Sequence, residues 1–462
     1  MSLCNEQERL ALLKFKQSVS DDFGMLSSWV GSDCCQWKRV RCDATTGSVV
    51  SLRLTGHNIW NSYYFPESNP ADIDPSDNNE DYYPDGEDNY LVGNELNASL
   101  AELKYLKYLD LSGNDFRKSQ ISEFIGSLKH LSYLNLSNAG FSGSIPPHIG
   151  NLSQLEVLDL STRHPDLVAD DLAWVFRLSL LKHLNLSGVD LMRAQNVNMV
   201  LYMIPSLVEL SLSHCSLTNA HLGPFLNLSR MLPNIRYLDL SKNSFYDQLP
   251  PFLPNMTSLT FLDISKSDFC PPLNLASLLN MIPSLSDLHL SRCELYNENM
   301  SPTNLNSSIC NIQHLDLSGN SIEGRFPYLL TNISSLKVLD LRKNFLNSSI
   351  PIMLNLLKLD ISSNNFTNME HVGIWRQCHL KELRVSHNYL GEEMIGVSTN
   401  ISQCSEYALE ELYLDHNQLK GSIPESLVRL ANLRVLDLSA NKLINLIPDS
   451  LGRLTTLEVL DI

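Results

Sequence analysis

Leu433-Arg434-Val435-Leu436-Asp437-Leu438-Ser439-Ala440-Asn441 decides the fold. Its leucines fall at the first, fourth and sixth places, and an asparagine follows three residues after the last of them. The same Leu-x-x-Leu-x-Leu frame returns with anchors at Leu106, Leu131, Leu155, Leu181, Leu207, Ile235, Leu259, Leu285, Ile312, Leu336, Leu356, Leu380, Leu409, Leu433 and Leu457. Leu106 to Leu457 is 351 residues in fourteen steps, about 25 a step, a length that suits one strand and its return segment. With the earlier strand around Leu52 and Leu54, the period predicts about sixteen repeats over residues 49–462. Alternate side chains of a strand face opposite sides, so the leucines point inward and the residues between them outward. One repeat cannot bury its leucines alone. Stacked neighbours close a continuous core, and their strands align as a parallel sheet on the concave face of an α/β repeat solenoid.

Outside the strand the repeat is also patterned. Asn114, Asn243, Asn320, Asn344, Asn364, Asn388, Asn417 and Asn441 each lie three residues past the last strand leucine. An inward amide both donates and accepts, so a ladder of them can satisfy the backbone groups that the turn leaves unpaired. Cys215 and Cys293 take the same position, where a buried thiol is expected. Two residues further on, Phe116, Phe141, Phe245, Phe269 and Phe366 suggest a second apolar spine. Gly143-Ser144-Ile145-Pro146 and Gly421-Ser422-Ile423-Pro424 then belong on the repeat's flank, since proline suits an edge or turn. Ala139, Arg163, Val189 and Ser267 replace the ladder asparagine in less regular repeats, which are either sites of binding detail or drift.

Residues 1–48 differ in kind and predict a cap. A helix from about Glu6 to Val19 carries Leu10, Leu13 and Val19 on one face, and Cys4, Cys34, Cys35 and Cys42 accompany Trp29 and Trp37. The open end of a stack exposes core, and a cap too small for a core of its own needs disulfides. Four cysteines allow three connectivities, of which we take Cys4–Cys34 with Cys35–Cys42. Cys378 and Cys404 precede adjacent strands and either pair or stay as buried thiols; Cys270 and Cys310 are unassigned. At the other end the pattern stops mid-strand at Asp461-Ile462, so a fragment is expected.

The net charge of −17 is concentrated. Ten carboxylates and no Lys or Arg lie between Glu67 and Glu95, within an acidic insert at about residues 55–96. The insert reads as a roleless loop, with a mobile arm for a basic partner as the alternative. The rest carries only −7, and no basic stripe suits nucleic acid. No apolar run is long enough to span a bilayer. Twelve Asn-x-Ser/Thr sites begin at Asn97, Asn135, Asn151, Asn185, Asn227, Asn255, Asn299, Asn306, Asn332, Asn347, Asn365 and Asn400; glycosylation of some of them, together with the cap cysteines, points to an extracellular chain.

The cap segments Glu8-Arg9-Leu10-Ala11-Leu12-Leu13-Lys14-Phe15-Lys16, Leu26-Ser27-Ser28-Trp29, Asp33-Cys34-Cys35-Gln36-Trp37 and Val40-Arg41-Cys42 closely resemble the N-terminal cap of plant leucine-rich-repeat receptor-like proteins. The repeat around Leu433 and the Gly-x-Ile-Pro elements are similar to the plant type of repeat. The resemblance implies a cell-surface receptor of the kind that senses fungal xylanase, serving immunity or development. It further implies a protein or peptide ligand, a co-receptor kinase, and membrane attachment through a segment beyond Ile462. Two neighbouring readings share the cap and repeats: a secreted, polygalacturonase-inhibitor-like protein and the ectodomain of a receptor kinase.

Recognition is expected on the outward strand positions, which are free of packing duty. Tyr108, Tyr133, His183, Tyr237, Phe261, His289, His314, Arg384 and Tyr413 are the candidates, since aromatics and arginine dominate interface energetics. They stand among a column of aspartates (Asp110, Asp159, Asp239, Asp263, Asp316, Asp340, Asp360, Asp437) read as solvating groups. His387 and His416 hold matching positions in adjacent repeats and are read as turn-surface histidines, with a pH-sensitive or metal pair as the alternative. The chain has no Gly-x-Ser-x-Gly, His-Glu-x-x-His, P-loop or kinase motif, so neither catalysis nor a cofactor is expected.

Overall fold

In the computed structural model each Leu-x-x-Leu-x-Leu run contributes a three-residue strand whose flanking residues face out and whose central leucine is buried, except in the last strand, where Leu460 is 39% exposed. The structure describes residues 3–57, 89–222, 234–245, 252–267, 274–300, 311–391, 404, 406–444 and 447–462. The chain forms two compact units, Met1–Gly223 and Pro224–Ile462.

In the first unit the sheet begins with the cap. Val40–Cys42 runs antiparallel to Val49–Arg53, with Val40 opposite Leu52. From there pairing is parallel and in step: Ser51 with Tyr108, Tyr108 with Tyr133, Tyr133 with Val157, Val157 with His183, and His183 with Glu209. The second unit continues the same device. Tyr237, Phe261, Asp287, His314, Val338, Lys358, Glu382, Glu411, Val435 and Val459 are register partners in succession. Within each unit a chain position is thus repeated as a column across the sheet.

The asparagine ladder closes the turns. Asn320 Nδ2 donates to Leu317 O and, one repeat back, to Leu290 O, both at 2.9 Å, while its Oδ1 accepts from Cys293 N at 2.9 Å and Leu295 N at 3.0 Å. Asn344, Asn364, Asn388 and Asn417 repeat the scheme. The ladder cysteines are buried thiols that supply half of it: Cys293 Sγ donates to Ile264 O at 3.4 Å, and burial pushes the thiol up to about 12. Phe116 and Phe141 stack with centroids 4.8 Å apart, and Phe245 and Phe366 are buried in the second unit. Phe269 lies outside the described residues. Gly143–Ser144, Glu323–Gly324 and Lys420–Gly421 each pair in parallel with the next repeat, forming short ladders on the flank. Pro146, Pro327 and Pro424 then cap short helical turns.

The cap helix Glu6–Ser18 corrects the expected face. Leu10 is 46% exposed and Leu13 is half-buried; the helix buries Glu8, Ala11, Leu12 and Phe15 instead. Leucines occur on both sides of this helix, and the bulk of Phe15, set 6.5 Å from Trp29, selects the buried side. Val19 leaves the helix and pairs antiparallel with Gly93. Glu8 is buried because its carboxylate accepts the Val49 N–H at 2.7 Å. Cys4–Cys34 and Cys35–Cys42 are both bonded, and Asp33 Oδ1 accepts the N–H of Cys4 and of Cys35 at 3.1 Å. In the second unit Cys378–Cys404 is also bonded, while Cys270 and Cys310 lie outside the described residues.

The acidic stretch departs and returns through a clamp, His57 and Asn89 exchanging both backbone hydrogen bonds at 2.7 Å. The flank resumes at once, since Leu91 and Leu96 are buried and Gly93 N donates to Asp115 O at 2.9 Å. The segment between, with Tyr63, Tyr64, Tyr82 and Tyr83, lies outside the described residues.

Candidate ligand-binding face

Each strand presents two outward positions, and the two columns do different work. In the second, the aspartates are scaffold. Asp110, Asp159, Asp239, Asp263, Asp316, Asp340, Asp360 and Asp437 each use Oδ1 to accept the backbone N–H two residues on, at 2.8–3.0 Å. Asn135 and Asn185 do the same through their amide oxygens. The side chain forms a local turn that starts the chain on its way out of the strand. The aspartates therefore do more than solvate the face.

Stacking carboxylates one repeat apart has an electrostatic cost. Burial, then the neighbouring Asp263, raises Asp239 to about 6. Burial, with further push from Asp316 and Asp360 and partial relief from Arg342, raises Asp340 to about 7. A carboxyl raised by folding holds its proton more tightly folded than unfolded. Its stability contribution is full below the ordinary value of 3.8 and lost as pH climbs to about 7. Asp340→Asn should keep the turn bond, as Asn135 and Asn185 do, and remove that loss. At pH 8 we expect the variant to be more stable by on the order of 1 kcal/mol, after discounting for its partial exposure. The gap should close at pH 4. Urea midpoints at both pH values check this, and a less stable variant at pH 8 would refute it.

In the second unit, His289, Arg384 and Tyr413 are where the second column abandons its aspartate; in the first unit Arg53 and Ser211 also replace it. Arg384 lies over the Tyr413 ring at 4.1 Å and donates to Glu382 at 2.6 Å. Glu382 also takes Lys358 at 2.8 Å, and Tyr413 Oη donates to Glu411 at 3.0 Å. Five side chains from three adjacent strands thus form one polar patch.

The first column carries the aromatics. Tyr108 and Tyr133 stack at 4.1 Å, with Arg53 4.6 Å from the Tyr108 ring, and burial beside Asp110 and Tyr108 pushes the Tyr133 phenol far up. Tyr237 and Phe261 stack at 4.2 Å, and His289 meets Phe261 at 5.1 Å. His289 faces Asp316 at 3.8 Å. Burial alone would lower His289, but the Asp316 contact and the charges of Asp263 and Asp287 outweigh it and raise the imidazole. His183 and His314 pair with Glu209 at 2.8 Å and with Asp287 respectively. The nine candidates therefore resolve into a Tyr108–Tyr133 pair, a Tyr237–Phe261–His289 group, an Arg384–Tyr413 group and two carboxylate-paired histidines. Sequence reading missed Arg53, Lys358, Glu382 and Glu411. All four hold outward strand positions and could have been found by taking every such position rather than the aromatics first.

Among the sequon asparagines, Asn347 is exposed. Asn97, Asn135, Asn151, Asn185, Asn255, Asn332 and Asn365 are half-buried. Asn299 is buried, its Oδ1 accepting from Tyr296 N at 2.7 Å. Asn227, Asn306 and Asn400 lie outside the described residues.

The family comparisons agree with this geometry. Residues 91–388 match the leucine-rich repeat region, residues 5–43 the leucine rich repeat N-terminal domain and residues 408–462 the leucine rich repeat. Receptor-like protein EIX2 of Solanum lycopersicum is 34% identical over 426 residues, covering 92% of this chain and 34% of the relative. Receptor-like protein EIX1 of the same plant is 31% identical over 329 residues, 70% of this chain and 27% of the relative. The chain thus spans about a third or less of these two relatives. Among solved structures, a leucine-rich-repeat protein of Leptospira interrogans superposes with a TM-score of 0.59 at 23% identity, covering 80% of this chain and 88% of that one, which speaks to the fold alone. The chain belongs to the leucine-rich-repeat family and is similar, over nearly its whole length, to plant receptor-like proteins.

Proposed function

We propose that this chain is the extracellular ligand-recognition region of a plant cell-surface receptor-like protein. It binds a protein or peptide on the inner strand face, in immune perception or developmental signalling, and it is not a catalyst. A co-receptor kinase completes the signal, and membrane attachment resides in a segment outside this chain. One observation carries the reading. At His289, Arg384 and Tyr413 the sheet of the second unit gives up the aspartate that closes the strand turn in its other repeats up to Asp437, and two of these residues meet directly while the third joins the Tyr237–Phe261 stack. Scaffold economy does not explain such exchanges; recognition does, because aromatic and arginine side chains on a rigid sheet make strong anchors.

The test is binding of the secreted, purified chain to an array of microbial secreted proteins and plant signalling peptides. A binder should lose at least about 30-fold in affinity on Tyr237→Ala with Phe261→Ala, or on Arg384→Ala with Tyr413→Ala, as expected for anchors worth ~2 kcal/mol each pair. The exposed flank substitutions Tyr328→Ala and Phe345→Ala should leave affinity unchanged. Circular dichroism should report the same fold in every variant. A binder insensitive to both inner-face pairs but lost on the flank substitutions would overturn the reading, as would the absence of any binder to the folded chain.

A further inference from the structure

We propose that His387, Asp415 and His416 form a binding site for a divalent transition-metal ion of the zinc or copper type. His387 and His416 occupy one position in two consecutive repeats, each immediately before a ladder asparagine. Asn388 and Asn417 are buried and bonded, which fixes the chain on one side. On the other side, His387 N donates to Asp415 O at 3.1 Å and His416 N to Ser439 O at 3.0 Å. Both histidines adopt the left-handed conformation, with φ of 54° and 51°, which histidine tolerates better than most residues. Two imidazoles are thereby held on a rigid frame rather than on a mobile loop.

The side chains converge. The rings lie face to face with centroids 4.2 Å apart and planes at 24°. Asp415 Oδ2 stands 2.9 Å from His416 Nδ1, and its other oxygen accepts the Ser386 hydroxyl. One donor atom from each of the three residues lies within 4.8 Å of the others. Donors of a tetrahedral zinc site are roughly 3.4 Å apart, given bonds of about 2.0–2.1 Å, so the donor spacing is already close and the two stacked rings must rotate to aim their in-plane lone pairs at one ion. Both rings are exposed, so their side-chain torsions are free of packing constraint.

Ligand chemistry selects the ion. Two imidazole nitrogens and one carboxylate suit zinc, copper or nickel, whereas calcium and magnesium ask for oxygen alone. Three protein ligands leave a position for water or for a group from a bound partner. Arg384 and Tyr413 lie upstream in the same two repeats, three residues before each histidine, so the site borders the polar patch. The pair is also local: the same position holds Ser363 one repeat before and Ala440 one repeat after, both left-handed.

Those neighbours supply the test. His387→Ser and His416→Ala place in this turn residues that the same array already carries there, so the frame should hold. The full chain, freed of metal by a chelator, is titrated with Zn²⁺ alone by calorimetry and with Cu²⁺ alone by electron paramagnetic resonance. The expected result is one ion per chain at the tightest site, with affinity falling at least tenfold in either single variant and in Asp415→Asn. The copper spectrum should show coupling to two nitrogens in the parent and to one in each histidine variant. Wild-type affinity in the His387→Ser, His416→Ala double variant, or an unchanged nitrogen coupling, would overturn the proposal. Should either histidine variant fail to fold, His387→Asn and His416→Asn, which also suit the left-handed turn, give the same readouts.

Discussion

Asn320→Leu should destabilise the second unit by about 4 kcal/mol, while Asn320→Cys should cost about half as much. Leucine is close in volume, so the change isolates hydrogen bonding from packing. It leaves Leu290 O without its donor, Leu317 O with Asn344 Nδ2 as its remaining donor, and Cys293 N and Leu295 N without their acceptor. All of these groups are buried between repeats. An orphaned buried polar group costs roughly 1–3 kcal/mol, and relaxation recovers part of the sum. A thiol restores donation but accepts poorly, as Cys293 itself illustrates by donating to Ile264 O and Ser291 O. Urea midpoints of the three proteins check the order. Hydrogen exchange should localise the loss to residues 290–320, since energetics in a repeat stack are dominated by nearest neighbours. A cysteine variant as unstable as the leucine variant would show that donation by Nδ2 contributes nothing and that the lost acceptance by Oδ1 carries the whole cost.

The ladder was legible in the sequence because its signal is periodic: one residue type at one offset in eight repeats admits few physical explanations. The strand frame was legible for the same reason. Features that depend on a choice between equivalent options were not. The cap helix offers Leu10 and Leu13 on one side and Ala11, Leu12 and Phe15 on another, and only packing against Trp29 decides between them. The Asp column was visible but misread, because Oδ1 capping of the turn is a matter of side-chain rotamer and has no separate sequence signature. That rotamer changes the reading of the binding face. Once the aspartates are scaffold, a departure from aspartate becomes the informative event, and Arg384 and Tyr413 rise above residues that merely happen to be aromatic. The Cys378–Cys404 bond was undecidable from spacing, since burial and pairing both satisfy a cysteine near a strand.

Loss of both cap disulfides should open the N-terminal end of the first unit even while its inner repeats remain folded. The cap is short of core: its largest buried side chains are Leu12, Phe15, Leu26, Trp29 and Trp37, with the two indoles stacked at 5.5 Å. Cys4–Cys34 spans 30 residues and Cys35–Cys42 spans 7. Loop-closure entropy makes these worth about 3.6 and 2.4 kcal/mol, together comparable to the whole stability of a small domain. Cys4→Ser with Cys34→Ser should therefore be the more damaging pair. It also frees the helix end that Asp33 and Asn5 organise, through Cys4 N and the Gln7 and Glu8 N–H groups. Once the helix lifts, Glu8 no longer accepts from Val49 N, and the first inner strand loses one of the contacts that seat the cap on the stack. Limited proteolysis should then cut within residues 5–43 while leaving the strands from Tyr108 onward protected. The Cys35→Ser, Cys42→Ser pair should cut more slowly. If the reduced and oxidised chains resist protease equally, the cap is held by its aromatic core and the disulfides are dispensable.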